Sequence, residues 1–138
     1  MPRQNVELIS EVYDALKRKD QATLAAFSRG DIQVHQSEEL PWGGVYEGLD
    51  QAMAFFGKVT SYIDSAVSVE GILDAGDHVV VIGRSAGTVK ATGKTFSVPL
   101  VHVWKLQEGK IASLAVFLDN ISILPALAPE KQLAELLN

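Results

Sequence analysis

The chain has 138 residues, of which 47% are apolar and 21% charged, and its formal net charge is −5. This length and composition are typical of a single globular domain spanning residues 1–138 and argue against a disordered chain. A net negative charge disfavours a nucleic-acid surface, because phosphate binding needs clustered cations. The absence of cysteine excludes disulfides, thiolate nucleophiles and cysteine-ligated zinc.

The first half of the sequence predicts three helices. Apolar residues recur at steps of three and four from about residue 4 to residue 19, which is the spacing of one face of a helix. Asp20 is expected to cap a second helix, which we expect to end at Gly30. After a loop with a proline and two glycines, helical spacing returns over residues 49–63.

The rest of the sequence mainly shows the pattern of β-strands. Apolar and polar residues alternate in a first strand before the third helix and in four later segments, which turns containing glycine separate. A short tail helix is expected at residues 129–137, with proline near its first position. Together these elements predict an α+β fold whose strands lie at residues 31–36, 67–73, 78–88, 95–106 and 111–118.

Several classes of partner are not expected from the sequence. No stretch approaches the ~20 apolar residues of a membrane span, and the N-terminus has no apolar signal segment, so we expect a cytoplasmic protein without membrane contact. Nothing resembles a nucleotide-binding loop or a metal-ligand pair at helical spacing, so no cofactor and no metal are expected. Apolar residues on both faces of several strands predict a homodimer.

Four segments carry a likeness to a known superfamily. They are residues 13–16 with Asp20, residues 40–48, residues 101–104 with residues 109–111, and residues 117–119. Together with the order of the elements, they resemble the NTF2-like superfamily, most closely its SnoaL-like and ketosteroid-isomerase-like branch. The resemblance covers nearly the whole chain and implies a cone-shaped, strongly curved antiparallel sheet whose three helices enclose a pocket. That branch includes isomerases, polyketide cyclases, epoxide hydrolases and non-catalytic binders, so the fold leaves the function open.

Asp119 and His102 are the first catalytic candidates. The resemblance implies a catalytic aspartate at Asp119, and a carboxyl group in an apolar pocket suits a general acid or base near neutral pH. Asp119 is equally explained as a turn residue after a strand. His102 falls near the position of a neutral acid in the oxyanion site of steroid isomerases and would donate a hydrogen bond there. A satisfied core histidine is the competing explanation.

Two further catalytic candidates lie on the first strand and its exit loop. His35 points opposite to the apolar residues of its strand. The resemblance implies a catalytic base near Glu39, although an exposed loop acid is the ordinary alternative for both Glu38 and Glu39.

Aromatic residues supply the expected wall of a ligand site. Trp42 and Tyr46 flank a pair of glycines, so they would either cover an apolar ligand or plug the open end of the cone. The ligand-binding candidates are Trp42, Tyr46, Tyr13, Phe56, Trp104 and Phe117.

The leading hypothesis is a cofactor-independent acid/base enzyme, an isomerase, cyclase or hydrolase, acting on a small apolar carbonyl or polyketide-like compound. In it Asp119 transfers the proton, and His102 with His35 stabilises the developing oxyanion. Two alternatives stay open, namely a non-catalytic ligand-binding module and a dimeric interaction domain. Convergence of these three side chains on an open pocket favours the enzyme, whereas a cavity filled by aromatic side chains favours the interaction domain.

Overall fold

The structure is a computed structural model that describes residues 2–127, with side chains from residue 4 onward. The tail helix predicted at residues 129–137 lies outside the described residues. The described part contains four helices and one six-stranded sheet, which confirms the α+β class. In chain order the elements are α1 (Pro2–Lys17), α2 (Gln21–Ala26), β1 (Ser28–Gln36), β2 (Gly44–Glu47), α3 (Leu49–Tyr62), β3 (Ile63–Ala75), β4 (His78–Val89), β5 (Thr95–Gln107), β6 (Lys110–Leu118) and α4 (Asn120–Leu127).

The start of α2 is capped as the sequence predicts, but its end is not. Asp20 accepts a hydrogen bond from the backbone N–H of Thr23 at 3.0 Å and another from the Thr23 hydroxyl at 2.6 Å. The helix then ends at Ala26, and Gly30 lies within β1 instead of capping the helix. The expected left-handed glycine at Gly30 is therefore wrong, because β1 begins earlier than the alternation alone indicates.

Two elements were not predicted. β2 has four residues, too few for alternation to be visible, and only Val45 and Tyr46 in it are apolar. α4 is apolar along nearly its whole length and contains Pro125, so it lacks the periodic pattern that marks an amphipathic helix. A hydrogen bond of 2.7 Å from the Thr92 hydroxyl to the carbonyl oxygen of Ala126 holds α4 to the turn before β5.

The strands lie in the order β2-β1-β6-β5-β4-β3. Four of the five neighbouring pairs are antiparallel, as expected, and the β1–β6 pair is parallel. β2 and α3 separate β1 from the β3–β6 meander in sequence. The last strand of the meander, β6, lies beside β1 and runs in the same direction. Register shifts that leave extra residues in β1, β3 and β6 mark bulges, which bend strands and increase the twist of a sheet.

The inner face of the sheet packs against the helices. Its side chains join those of α1 and α3 in one apolar cluster that includes the fully buried rings of Trp42 and Trp104. This packed core occupies the space in which the sequence led us to expect a ligand pocket. The recesses described below lie instead at strand ends and beside α4.

The outer face carries an apolar band that we call the outer stripe. The strand register places its residues in two adjacent rows that run across the sheet. The row on one side of them contains Gln33, Lys105 and His78, and the row on the other side contains Arg84, so polar residues border the band. Several of its members are largely exposed. The outer stripe comprises Val45, Ala115, Val103, Val80 and Leu73 in one row, with His35 among them, and Phe117, Val101 and Ile82 in the next.

β3 approaches β4 so closely that Gly83 and Gly87 leave no room for a Cβ atom. A Cβ atom on Gly87 would overlap the carbonyl oxygen of Asp64 and lie 2.6 Å from the Cα of Ser65. We expect Gly87→Ala to lower the free energy of unfolding by about 1–3 kcal/mol, since the strands must move apart. Gly57 in α3 has open space around it, so Gly57→Ala is expected to raise the free energy of unfolding by about 0.5–1 kcal/mol. Urea unfolding of both variants measures these changes, and equal effects would contradict the close approach of β3 and β4.

Candidate functional site

A chain of three hydrogen-bonded side chains lies in the core. The Trp104 indole Nε1–H donates to the Tyr13 hydroxyl oxygen at 3.0 Å, and the Tyr13 oxygen lies 2.5 Å from Nδ1 of His102. Tyr13 comes from α1, and the other two residues lie two apart on the inner face of β5. All three are less than 10% exposed. The structure thus brings together three of the sequence-predicted site residues.

One direction in this network is fixed by chemistry. The indole nitrogen of Trp104 only donates, so the Tyr13 oxygen accepts that hydrogen bond. A second hydrogen bond joins the Tyr13 oxygen to Nδ1 of His102, and the imidazole tautomer determines which of the two groups donates. Burial lowers the pKa of His102 to about 4, and burial likewise raises the pKa of Tyr13. Both groups keep a single protonation state around neutral pH, as a satisfied structural network requires.

Asp119 occupies a different environment from the apolar pocket that we expected. Its side chain is exposed at the start of α4 and accepts from the backbone N–H of Ser122 at 3.3 Å and from the Ser122 hydroxyl at 2.7 Å. These contacts are those of a helix N-cap. They support the turn interpretation of Asp119, since its exposed carboxylate is bonded to the first turn of α4.

His35 and Glu39 are also exposed. His35 projects from the outer face, and its Nε2 lies 3.3 Å from the side-chain oxygen of Gln33. Glu39 accepts a hydrogen bond of 3.3 Å from the side-chain nitrogen of Asn120. Because His102 faces the core, the structure does not bring Asp119, His35 and His102 together in one enclosed cavity.

The aromatic candidates fall into two groups. Trp42, Tyr46 and Phe56 belong to the core or pack against it, and the Tyr46 hydroxyl donates to the carbonyl oxygen of Trp42 at 2.7 Å. Trp42 therefore plugs the helix-facing side of the sheet instead of covering an open site. Phe117 is different, because it is 59% exposed and lines a recess.

This recess, which we call the strand-end recess, has a volume of about 240 Å³ and lies where β1 and β6 end. Apolar groups from β2 and β6 make much of its wall, and Glu38 lies on it as well. Its lining residues are His35, Gln36, Ser37, Glu38, Gly44, Val45, Ala115, Val116, Phe117, Leu118 and Asn120. A second, more open depression of about 600 Å³ lies between the start of β5 and α4.

Two amides at the strand-end recess have one buried atom each without a hydrogen-bond partner among the described residues. They are Nε2 of Gln36 and Oδ1 of Asn120. Gln36 is 8% exposed, and its Oε1 accepts from the indole Nε1–H of Trp42 at 2.8 Å. An unsatisfied buried polar atom costs about 1–3 kcal/mol of stability.

Neither amide was a sequence candidate, although one of them left a signal. Gln36 shares the inner face of β1 with Ile32 and Val34, and a polar residue at a core position is informative because it needs a partner. Asn120 could not be recognised, since α4 itself was not predicted.

Within its described part, the chain has neither a cluster of metal-ligating side chains nor a helix that could span a membrane. No group of three or more histidine, aspartate or glutamate side chains suited to a metal ion occurs among residues 4–127. Within the described helices, none is both long and apolar enough to cross a membrane.

The buried imidazole predicts a pH-dependent stability. The unfolded chain takes up a proton at His102 below its ordinary pKa of 6.5, whereas the folded chain does so only near pH 4. Stability from this group is therefore complete above pH 6.5 and is lost as the pH falls toward 4, by roughly 3 kcal/mol in total. Unfolding free energies measured across this range should fall less steeply in His102→Gln, while the exposed-site control His35→Gln keeps the slope. Equal slopes in all three proteins would contradict the burial of a neutral His102.

Comparison with known proteins agrees with this fold. The sequence model of the SnoaL-like domain family matches residues 9–114. An NTF2-like protein from Burkholderia thailandensis E264 is 28% identical with a TM-score of 0.85, over 91% of this chain and 98% of that one. No curated protein matches.

Two more distant structures share the fold. A protein from Jannaschia sp. CCS1, assigned by likeness to the SnoaL-like polyketide cyclases, is 23% identical with a TM-score of 0.82 over 92% of this chain and 94% of that one. A protein from Catenulispora acidiphila with a ketosteroid-isomerase-like fold, solved in complex with trimethylamine, is 19% identical with a TM-score of 0.75 over 88% and 92%. Because the family match extends over more than half of the sequence, the chain belongs to the SnoaL-like domain family of NTF2-like proteins.

Proposed function

We propose that the protein binds a small organic molecule in the strand-end recess. The observation that carries the proposal is the concave, mainly apolar lining of this recess, to which His35, Ser37 and Glu38 add polar side chains. Small-molecule sites are concave, mainly apolar and furnished with a few polar groups that orient the ligand. The strand-end recess meets each of these conditions.

The ligand is expected to be small. The recess volume of about 240 Å³ lies below the usual range of about 300–1,000 Å³ for drug-sized ligands. Val116, Phe117 and Leu118 provide the apolar contact surface. The related protein from Catenulispora acidiphila was solved with trimethylamine, a small organic molecule, which supports the same size class here.

Acid/base chemistry on that ligand requires a base and an oxyanion donor at one place. At the strand-end recess Glu38 supplies a carboxylate, Glu39 lies beside the recess through its hydrogen bond to Asn120, and His35 supplies an imidazole. Glu39 stays a predicted base in this arrangement, and His35 stays a predicted oxyanion donor. The catalytic roles predicted for Asp119 and His102 have less support, since Asp119 caps α4 and His102 is buried in the core.

Removing the exposed apolar wall should weaken binding. We expect Phe117→Ser to reduce affinity for a small aromatic ligand about tenfold, because burial of an aromatic side chain contributes about 1.5–3 kcal/mol. Ile121→Ser is the control, because Ile121 is also exposed, at 84%, but does not line the recess. NMR titration with a fragment set measures both affinity and location. Shifts centred on residues 93–98 beside α4, instead of residues 35–38 and 115–120, would overturn the choice of the strand-end recess.

The outer stripe favours a second function, self-association as a homodimer. An apolar centre bordered by polar rows has the layout of a protein interface. Val45, Leu73, Ile82 and Phe117 are each 40% or more exposed on this one face. The outer stripe and the strand-end recess share His35, Val45, Ala115 and Phe117, so a dimer formed through the stripe would also cover part of the recess.

A charge at the centre of the outer stripe should abolish a dimer. We expect Ile82→Glu to convert the protein to a monomer, because a carboxylate cannot be buried there without a partner. Ile121→Glu places the same charge on α4, away from the stripe, and should leave the mass unchanged. Light scattering coupled to size exclusion reports the mass. A wild-type mass of one chain would rule out the homodimer.

A further inference from the structure

We propose that a second copy of the chain closes the strand-end recess, so that the ligand is held between two subunits. This inference rests on the ligand site and the homodimer proposed above, and it adds that the second subunit supplies part of the ligand site. It follows from the four residues that belong to both the recess and the outer stripe, namely His35, Val45, Ala115 and Phe117.

The outward side of the recess has no wall within one chain. Val45 and Phe117 line the recess from β2 and β6, yet they are 54% and 59% exposed. Ligand sites bury about 70–90% of a ligand's surface, whereas a molecule seated against these two side chains would keep one side in water. A surface that covers both side chains would complete the enclosure.

The apolar surface that fits over these residues is the other half of the outer stripe. The strand order puts Val45 and Phe117 in the half formed by β2, β1 and β6, and puts Leu73 and Ile82 in the other half. Leu73 and Ile82 are 50% and 40% exposed and do not line the recess of their own chain. A two-fold axis along the strands, between β6 and β5, would lay each half on the opposite half of the partner.

The charges beside the stripe favour this axis. In the polar row that contains Gln33, Glu47 lies at the β2 end, and Lys105 and His78 lie on β5 and β4. An axis along the strands turns this row end for end and brings Glu47 to the end at which the partner's His78 lies. An axis across the strands, between the two apolar rows, would instead place His78 over the partner's Arg84, where two basic groups meet.

The strand register then defines what covers the recess. It sets Val45 against the partner's Leu73, and it places the partner's Ile82 over the end of β1, beside Phe117. Apolar side chains of the second subunit thereby cover the mouth of the recess. A ligand bound there would contact both subunits, so ligand binding and dimer formation would strengthen each other.

The first test uses a single thiol, because the chain contains no cysteine. Ser37 lines the recess and is exposed in one chain. We expect the thiol of Ser37→Cys to react with a maleimide about fivefold more slowly in the dimer than in the monomers that Ile82→Glu and Leu73→Glu produce. Leu73→Glu is informative because β3 and β2 lie at opposite edges of the sheet.

Two controls accompany this measurement. Val69→Glu places the same charge on β3 outside the outer stripe, where Val69 is 37% exposed, and should keep both the dimer and the slow reaction. Ser61→Cys puts the thiol on α3, at an exposed position away from the stripe, and should react at one rate in dimer and monomer.

Cross-linking tests the direction of the axis. The proposed axis brings Ser37 near the partner's Ile82 and keeps the two copies of Ser37 apart. A mixture of the Ser37→Cys and Ile82→Cys proteins should therefore be joined by a short bis-maleimide, whereas Ser37→Cys alone should not. Efficient cross-linking of Ser37→Cys to itself would instead show an axis across the strands.

Ligand binding is measured with phenol, which combines an apolar ring with one hydroxyl group. NMR titration should show shifts at residues 35–38 and 115–118, with about tenfold weaker affinity in Leu73→Glu than in the wild-type dimer, since the monomer lacks one wall of the site. Phenol should in turn lower the dissociation constant of the dimer.

The outcomes separate this inference from the proposed functions. Equal thiol reactivity and equal phenol affinity in dimer and monomer would overturn the shared site and leave the recess as a ligand site of one chain. A wild-type mass of one chain, or a dimer that persists in both glutamate variants, would overturn the closure of the recess through the stripe. Phenol that shifts neither residues 35–38 nor residues 115–118 would overturn the ligand site and this inference with it.

Discussion

Successive residues of a β-strand point to opposite sides of the sheet, and in this protein that alternation decides which polar groups can meet. His102 is in register with Val81 and Val116 on the inner face, whereas His35 is in register with Ala115 on the outer face. The sheet therefore separates two histidines that an acid/base mechanism would bring together. The same alternation builds the core from one set of side chains and the outer stripe from the other.

The buried polar groups differ in how completely they are satisfied. In the core, Trp104, Tyr13 and His102 form a hydrogen-bonded chain. At the strand-end recess, Gln36 and Asn120 each have one partner and one unpartnered buried atom. Satisfied networks make a core rigid and specific, whereas each unpartnered buried atom costs about 1–3 kcal/mol. The core network therefore stabilises the fold, and the two amides at the recess are held at a cost in stability.

Elements with a long, regular pattern could be predicted from the sequence. α1, α3 and the strands from β3 to β6 are each nine residues or longer, and their predicted bounds differ from the observed ones by a few residues. β2 is too short to show a period, and α4 is apolar on nearly every side. The parallel pairing of β1 with β6 depends on tertiary contacts that no local pattern encodes.

Site residues followed a related rule. The sequence predicted that His102 and Trp104 share one face of their strand, because strand alternation is local information, but it did not predict their hydrogen-bonded contact with Tyr13. It could not show that α4 begins directly after Asp119, and the aspartate consequently acts as a cap. The importance of Gln36 depends on which of its two amide atoms Trp42 leaves free, and only the three-dimensional arrangement reveals that.

The parallel β1–β6 pair also governs the order in which the sheet can be completed. Gln33 pairs with Ser113, about eighty residues later in the chain, so β1 has only β2 as a strand partner until β6 has been synthesised. The hairpin-connected strands β3 to β6 need no such delay, since each meets its neighbour across a short turn. On the ribosome, the meander is therefore the unit that assembles first by local contacts. The strand-end recess forms only when β1 pairs with β6, because residues of both strands line it.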